Sequence, residues 1–162
     1  MLITMRAEQS SVAEHPKQKR LLPSRQQETV ISILRAAAYV RRFGARVFDQ
    51  HDITSQQYNV LRILRGAGPA GLPTLDIAER MIEQTPGITR LLDRLESKKL
   101  VRRERPSGDR RQVLCYVTEA GLDLLNEVDG PLKKQAQMAL HMLDDSELDE
   151  LINLLGRVRT KD

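Results

Sequence analysis

The stretch TPGITRLLDRLESKKLVRRERPSGDRRQVLCYVTEAG, Thr85 to Gly121, decides the fold. Thr85 is a helix-capping residue, and Pro86 suits a first helical position, where a missing N–H costs nothing. Ile88, Leu91, Leu92 and Leu95 follow at the i, i+3, i+4, i+7 spacing of one apolar helical face. Thr89, Arg90, Asp93, Arg94 and Lys98 lie on the other faces. The spacing predicts a helix over 85–98. Val101–Arg105 and Gln112–Val117 flank the turn residues Pro106, Ser107, Gly108 and Asp109, which predicts a two-stranded hairpin over 101–117. Thr118 then caps another helix.

Working outward toward the N-terminus, Thr74 reads as the cap of a short helix carrying Leu75, Ile77, Ala78 and Met81. Before it, Gly66, Gly68, Pro69, Gly71 and Pro73 make a turn. Thr54 and Gln57 form a capping box, with Ile53 and Tyr58 at the staple positions, and open a helix through Val60, Leu61 and Leu64. Residues 25–50 hold no proline and carry an apolar stripe of Val30, Leu34, Ala37, Ala38, Val47 and Phe48, which predicts a long helix. Residues 1–24 show no period and read as a flexible, mildly basic arm. Toward the C-terminus, Leu122, Leu125, Val128 and Leu132 mark a long helix, with a kink or break expected at Pro131. Ser146, with Asp149 three residues on, reads as the cap of a last helix bearing Leu148, Leu151, Ile152, Leu155 and Val158.

Charge is polarised. Lys98–Arg111 holds seven basic and two acidic residues, whereas Glu119–Glu150 holds nine acidic residues and two lysines. A basic block facing a polyanion and an acidic block facing away fit nucleic-acid binding, and a solvated surface fits the charge alone equally well. No run approaches the ~18 apolar residues of a membrane span, and the N-terminus lacks a secretory apolar run. One cysteine, Cys115, leaves no intramolecular disulfide framework. His15, His51 and His141 stand far apart in sequence, so no metal or other cofactor is expected. The sequence also lacks a Gly-rich phosphate loop, a nucleophile motif and a His/carboxylate constellation, so no enzyme is expected.

The element order is that of a mostly α protein with a small β-hairpin wing, a winged helix-turn-helix. Helix 85–98 suits the major groove, about 12 Å wide. Gly87 and Thr89 are small and permit close approach, while Arg90 and Arg94 stand one turn apart on one face. Arg110 and Arg111, at the hairpin tip, suit a narrow minor groove. The helix start at Thr74 suits a phosphate. The bland alternatives are surface pairs of Arg90 and Arg94 with Asp93 or Glu96, a solvated turn at Arg110–Arg111, and a solvated His51. Cys115 alternates with Val113 and Val117 and reads as a small packed hydrophobe.

Residues from about Ile53 to Leu125 resemble the MarR family of bacterial transcription regulators. The matching stretches are Ile53–Gln57, Leu75–Arg80, Ile88–Glu96, Leu100–Arg103, Asp109-Arg110-Arg111 and Val117-Thr118-Glu119-Ala120-Gly121. The resemblance implies a homodimer in the cytoplasm that binds a pseudo-palindromic double-stranded operator, most simply as a ligand-responsive repressor. Residues 25–52 and 119–162 would be the dimerisation helices flanking a DNA-binding domain over 53–118. It also implies that Arg111 reaches the minor groove with Asp109 bracing the wing tip, and that Thr89, Arg90 and Arg94 face the major groove. A small aromatic or anionic effector would sit between the dimer helices and the winged domain, near Tyr39, Arg42, His51, Tyr58 and Arg62; aromatic residues at helical spacing more often belong to a core. The sequence departs from the family at Lys99, where a glycine usually closes the helix. Its cysteine also stands on the second wing strand rather than near the N-terminus, so peroxide sensing is not carried over. The alternative is a winged-helix module making protein or architectural contacts without operator specificity.

Overall fold

A computed structural model describes residues 24–83, 87–105 and 112–158. In chain order it contains α1 (Arg25–Gln50), α2 (Ser55–Ala67), a 3-10 turn (Gly68–Ala70), β1 (Leu72–Pro73), α3 (Thr74–Arg80), α4 (Ile88–Ser97), β2 (Val101–Glu104), β3 (Leu114–Val117), α5 (Glu119–Ala139) and α6 (Asp145–Val158). The strands form an antiparallel sheet in the order β1-β3-β2, with Leu72 and Arg103 both opposite Cys115. The first strand is too short to announce itself in the sequence, where it reads only as turn.

The caps explain where the helices begin. Ser24 and Gln27 make a reciprocal capping box at α1 (2.9 and 3.2 Å), and Thr54 and Gln57 make one at α2 (2.9 and 3.1 Å). Gln57 is buried, and its Oε1 accepts the Thr54 N–H there. Two expected caps are replaced. At α6 the box is formed by Asp144 and Glu147, two residues before Ser146 (2.9 Å each way). At α3 the cap position belongs to Pro73, without a side-chain bond. Pairing of Leu72–Pro73 with β3 ties the Thr74 N–H to the Val113 carbonyl oxygen (3.3 Å) and brings its hydroxyl within 3.7 Å of Cys115 Sγ. Helix α5 runs through Pro131 without the break expected there.

The core is one cluster. Val60, Leu61 and Leu64 of α2 meet Ile77, Leu92, Leu95, Val101, Cys115, Leu125 and Val128, all nearly inaccessible. Cys115 is thus a packed hydrophobe, and burial raises its thiol pKa. On α3, Ile77 is buried and Leu75 is 75% exposed. The stripes of the flanking helices are uncovered within one chain: Val30, Leu34 and Val40 on α1, and Leu151, Ile152 and Val158 on α6, are exposed.

The C-terminus of α4 is the joint of the molecule. Lys99 takes the left-handed conformation (φ 59°). Its N–H donates to Glu96 O (2.8 Å), and the Leu100 N–H donates to Leu95 O (3.0 Å). This is a Schellman closure with lysine in the glycine position. Thr118 locks it: its hydroxyl donates to Lys99 O (2.7 Å), its N–H donates to Leu100 O (3.1 Å), and its hydroxyl oxygen accepts from the Gly121 N–H (3.1 Å). A Cβ on Gly121 would stand 2.4 Å from Leu100 O, so only glycine lets α5 approach the closure.

Lys99→Gly is therefore expected to stabilise the fold by about 1 kcal/mol, by relieving the left-handed lysine. Gly121→Ala is expected to destabilise it by about 1–3 kcal/mol. Thermal and urea unfolding check both, and an unchanged midpoint for Gly121→Ala would contradict the close approach.

Candidate nucleic-acid interface and the cleft behind it

Helix α4 presents its apolar side, Leu91, Leu92 and Leu95, to the core and its polar side to solvent. Gly87 is its left-handed N-cap (φ 97°), so the helix begins at Ile88, later than the expected residue 85. The Arg90 guanidinium folds back over Gly87, with Nε 3.3 Å from where a Cβ would stand. Thr89, Arg90 and Arg94 are exposed. Thr85 and Pro86, and the wing tip with Asp109, Arg110 and Arg111, lie outside the described residues.

The acids of α4 are engaged by a residue the sequence reading did not single out. Arg103 of β2 reaches back to Asp93 (2.6 Å), and its Nε donates to Glu96 Oε2 (2.9 Å). Glu96 Oε1 also accepts from the Arg103 backbone N–H (3.2 Å). Arg90 and Arg94 accordingly make no ion pair with Asp93 or Glu96 among the described residues, contrary to the bland expectation. The side-chain hydrogen bond from Arg103 holds the Glu96 carboxyl below its ordinary range, against a smaller upward effect of burial. At the far end of α4, Lys98 Nζ pairs with Asp52 (2.7 Å). Beside Arg103 on β2, Arg102 stacks over the Tyr116 ring (4.1 Å). Tyr116 in turn covers Gly71, whose left-handed backbone (φ 64°) leaves no room for a Cβ.

Behind this surface, α1, α2 and α5 enclose a cleft of about 770 Å³. Of the five residues expected near an effector, Tyr58 and Arg62 line it. The other three expected residues do not. Tyr39 and Arg42 lie elsewhere on α1, where Tyr39 meets Phe43 edge-on (4.9 Å) and Arg42 sits over the Tyr39 ring (5.6 Å). His51 closes the end of α1 and is not simply solvated: its side chain is 21% exposed, Nδ1 donates to Val47 O (2.8 Å), and Nε2 lies 3.9 Å from Glu127. The cleft instead contains Arg65 and Asp129. The Tyr58 hydroxyl donates to Asp129 Oδ1 (2.6 Å), and Arg65 Nη1 donates to Oδ2 (2.8 Å). Burial, then the bond to Asp129, pushes the Tyr58 phenol up to about 12. Burial would raise the Asp129 carboxyl, but the bonds from Tyr58 and Arg65 outweigh it and hold the group below its ordinary range. Tyr58, Arg62 and Arg65 share one face of α2 by their spacing, a signal present in the sequence.

The family profile of MarR matches residues 53–113. A MarR transcription factor from Planctomyces limnophilus is 38% identical, with 83% of this chain and 97% of that chain covered and a TM-score of 0.65. The chain belongs to the MarR family. MarR from E. coli, solved as a point mutant with operator DNA, is 25% identical over 82% of this chain and 94% of that chain, with a TM-score of 0.73. NadR, solved with 4-hydroxyphenylacetate, shares the fold at 22% identity, covering 99% of this chain and 100% of that chain with a TM-score of 0.67. This MarR-family chain is accordingly a transcriptional regulator with a DNA-binding winged helix, and not an enzyme. Among its described residues, no helix is long and apolar enough to cross a membrane.

Because Glu96 has a depressed pKa in the folded state, its contribution to stability is complete above the ordinary carboxylate range and is lost as pH falls through its folded pKa. Glu96→Gln is expected to lower the unfolding midpoint at pH 7, and the gap from wild type should close on acidification. A gap that persists unchanged at pH 2–3 would show that the charge of Glu96 contributes nothing.

Proposed function

We propose that the chain acts as a homodimeric, cytoplasmic repressor that binds a pseudo-palindromic operator and releases it when a small aromatic or anionic effector fills the cleft. The observation that carries the DNA-reading part is the state of Arg90 and Arg94. They are solvent-exposed, one turn apart, and among the described residues have no acidic partner on α4, because Arg103 holds both Asp93 and Glu96. Arginine in that state can pair bidentately with guanine O6 and N7. Gly87 and Thr89 keep the start of the helix low enough to approach base edges. Arg111, with Arg110, would enter the minor groove, and Asp109 would brace the tip. Thr85 would face phosphates, whereas Thr74, expected to do the same, has its N–H on Val113 O and its hydroxyl 3.7 Å from the buried Cys115 Sγ and so is turned toward the sheet.

Dimerisation is supported by the uncovered apolar faces. Leu34 on α1 is 64% exposed and Ile152 on α6 is 68% exposed, and both belong to helical stripes that a second copy would cover. Two copies related by a two-fold axis would set their α4 helices one duplex turn apart. Effector control requires a ligand that binds the DNA-incompetent spacing more tightly, with a coupling of about 1–3 kcal/mol.

Selection of operators from random duplexes by the recombinant protein, followed by affinity measurements over a salt series, tests this reading. Arg94→Ala is expected to weaken the selected operator by about 1–3 kcal/mol and random duplex much less. Arg111→Ala should weaken A·T-flanked sites most. Equal loss on all sequences would make Arg94 a phosphate ligand. A monomer at micromolar concentration by light scattering would overturn the dimer.

A further inference from the structure

The cleft contains a carboxylate seat that the chain fills with its own side chain. Tyr58 and Arg65 project from α2 and converge on the two oxygens of one carboxylate, at 2.6 and 2.8 Å. A phenolic O–H beside a guanidinium N–H is a donor set suited to a ligand carboxylate. Its occupant, Asp129, comes from α5, so the seat closes only in the folded chain. The Arg65 and Asp129 side chains remain 36% and 37% exposed, so solutes reach them. Phe43, Phe48 and Leu132 line the same cleft and offer an apolar wall for a ring.

We propose that Asp129 is a tethered occupant of this seat and sets the class of effector, so that the cleft takes neutral, hydroxyl-bearing aromatic molecules ahead of aromatic carboxylates. This rests on the reading of the cleft as the effector site. A carboxylate entering from solution competes with a covalently tethered one, whose effective concentration is in the millimolar range or above. If it wins, two carboxylates face each other beside an apolar wall. A neutral hydroxyl meets neither obstacle. An ionised carboxylate has about four acceptor positions, and Tyr58 and Arg65 use two on Asp129, so a ligand O–H can donate to it with both native bonds intact. Arg62, 5.8 Å from the centre of the Tyr58 ring, and Lys133 line the same cleft and are the cations open to a carboxylate that does not displace Asp129, while Arg41 of that lining pairs with Glu83.

Benzyl alcohol and benzoate, similar in size and opposite in this respect, are suitable probes. Each is titrated by NMR into the full-length protein, its Asp129→Asn variant and the Asp129→Asn/Arg65→Met double variant, with folding checked by circular dichroism. Asp129→Ser replaces Asp129→Asn if the latter does not fold. Wild type is expected to bind benzyl alcohol more tightly than benzoate. Asp129→Asn should bind benzoate at least about tenfold more tightly than wild type does and reverse the order, and Arg65→Met should abolish that gain. If benzoate binds wild type and Asp129→Asn within twofold of each other, the tethered-occupant proposal is overturned while the cleft survives as a binding site. If neither probe binds any variant, the effector-site reading fails and the proposal falls with it.

Discussion

The arrangement depends on how α4 ends. The angle between α4 and the hairpin behind it is set where the helix stops, and here the stop is a backbone closure through Lys99 and Leu100. Thr118 fastens the start of α5 to that closure, and Gly121 lets the two backbones touch. The stretch Val117-Thr118-Glu119-Ala120-Gly121, one of those that carry the family resemblance, thereby acquires a physical meaning. It is the contact where α4, the hairpin and the long α5 are fixed relative to one another. A lysine in the left-handed position is tolerated because the surrounding bonds over-determine the turn.

Arg103 adds a side-chain brace to this backbone joint. Its guanidinium spans from the hairpin to α4, so the hairpin cannot swing without breaking bonds to Asp93 and Glu96. The same bonds remove two carboxylates as partners for Arg90 and Arg94. One residue thus contributes both to the angle of the wing and to the positive character of the exposed helix face. The pairs are half-exposed, so their energetic weight is modest and their geometric role is the larger one.

Much of this was legible in the amino-acid order. The periods of α2, α4 and α5 and the caps at Thr54 and Thr118 are local signals, and local signals survive folding. Two failures share another cause. The strand at Leu72–Pro73 exists because β3 pairs with it, and the cap at Asp144 competes with a serine two residues later that has the same local signal. Each is settled by tertiary contact. The site divides likewise. Arg90 and Arg94 could be picked out by position on a helix, and Tyr58 and Arg62 by their shared face. Asp129 could not, since its relevance arises from a meeting of residues 71 and 64 positions apart. Tyr39, Arg42 and His51 fit an effector site by residue type alone, and none of them lines the cleft.

The small sheet also protects its own edges. Exposed strand edges invite other chains to add on. At one edge stands a strand of two residues, one of them Pro73, which has no N–H to offer. At the other, the outward N–H of Arg103 is already taken by the Glu96 carboxylate. Both margins are blunted by side chains that also serve the turn and the brace, and the wing is left a poor template for aggregation.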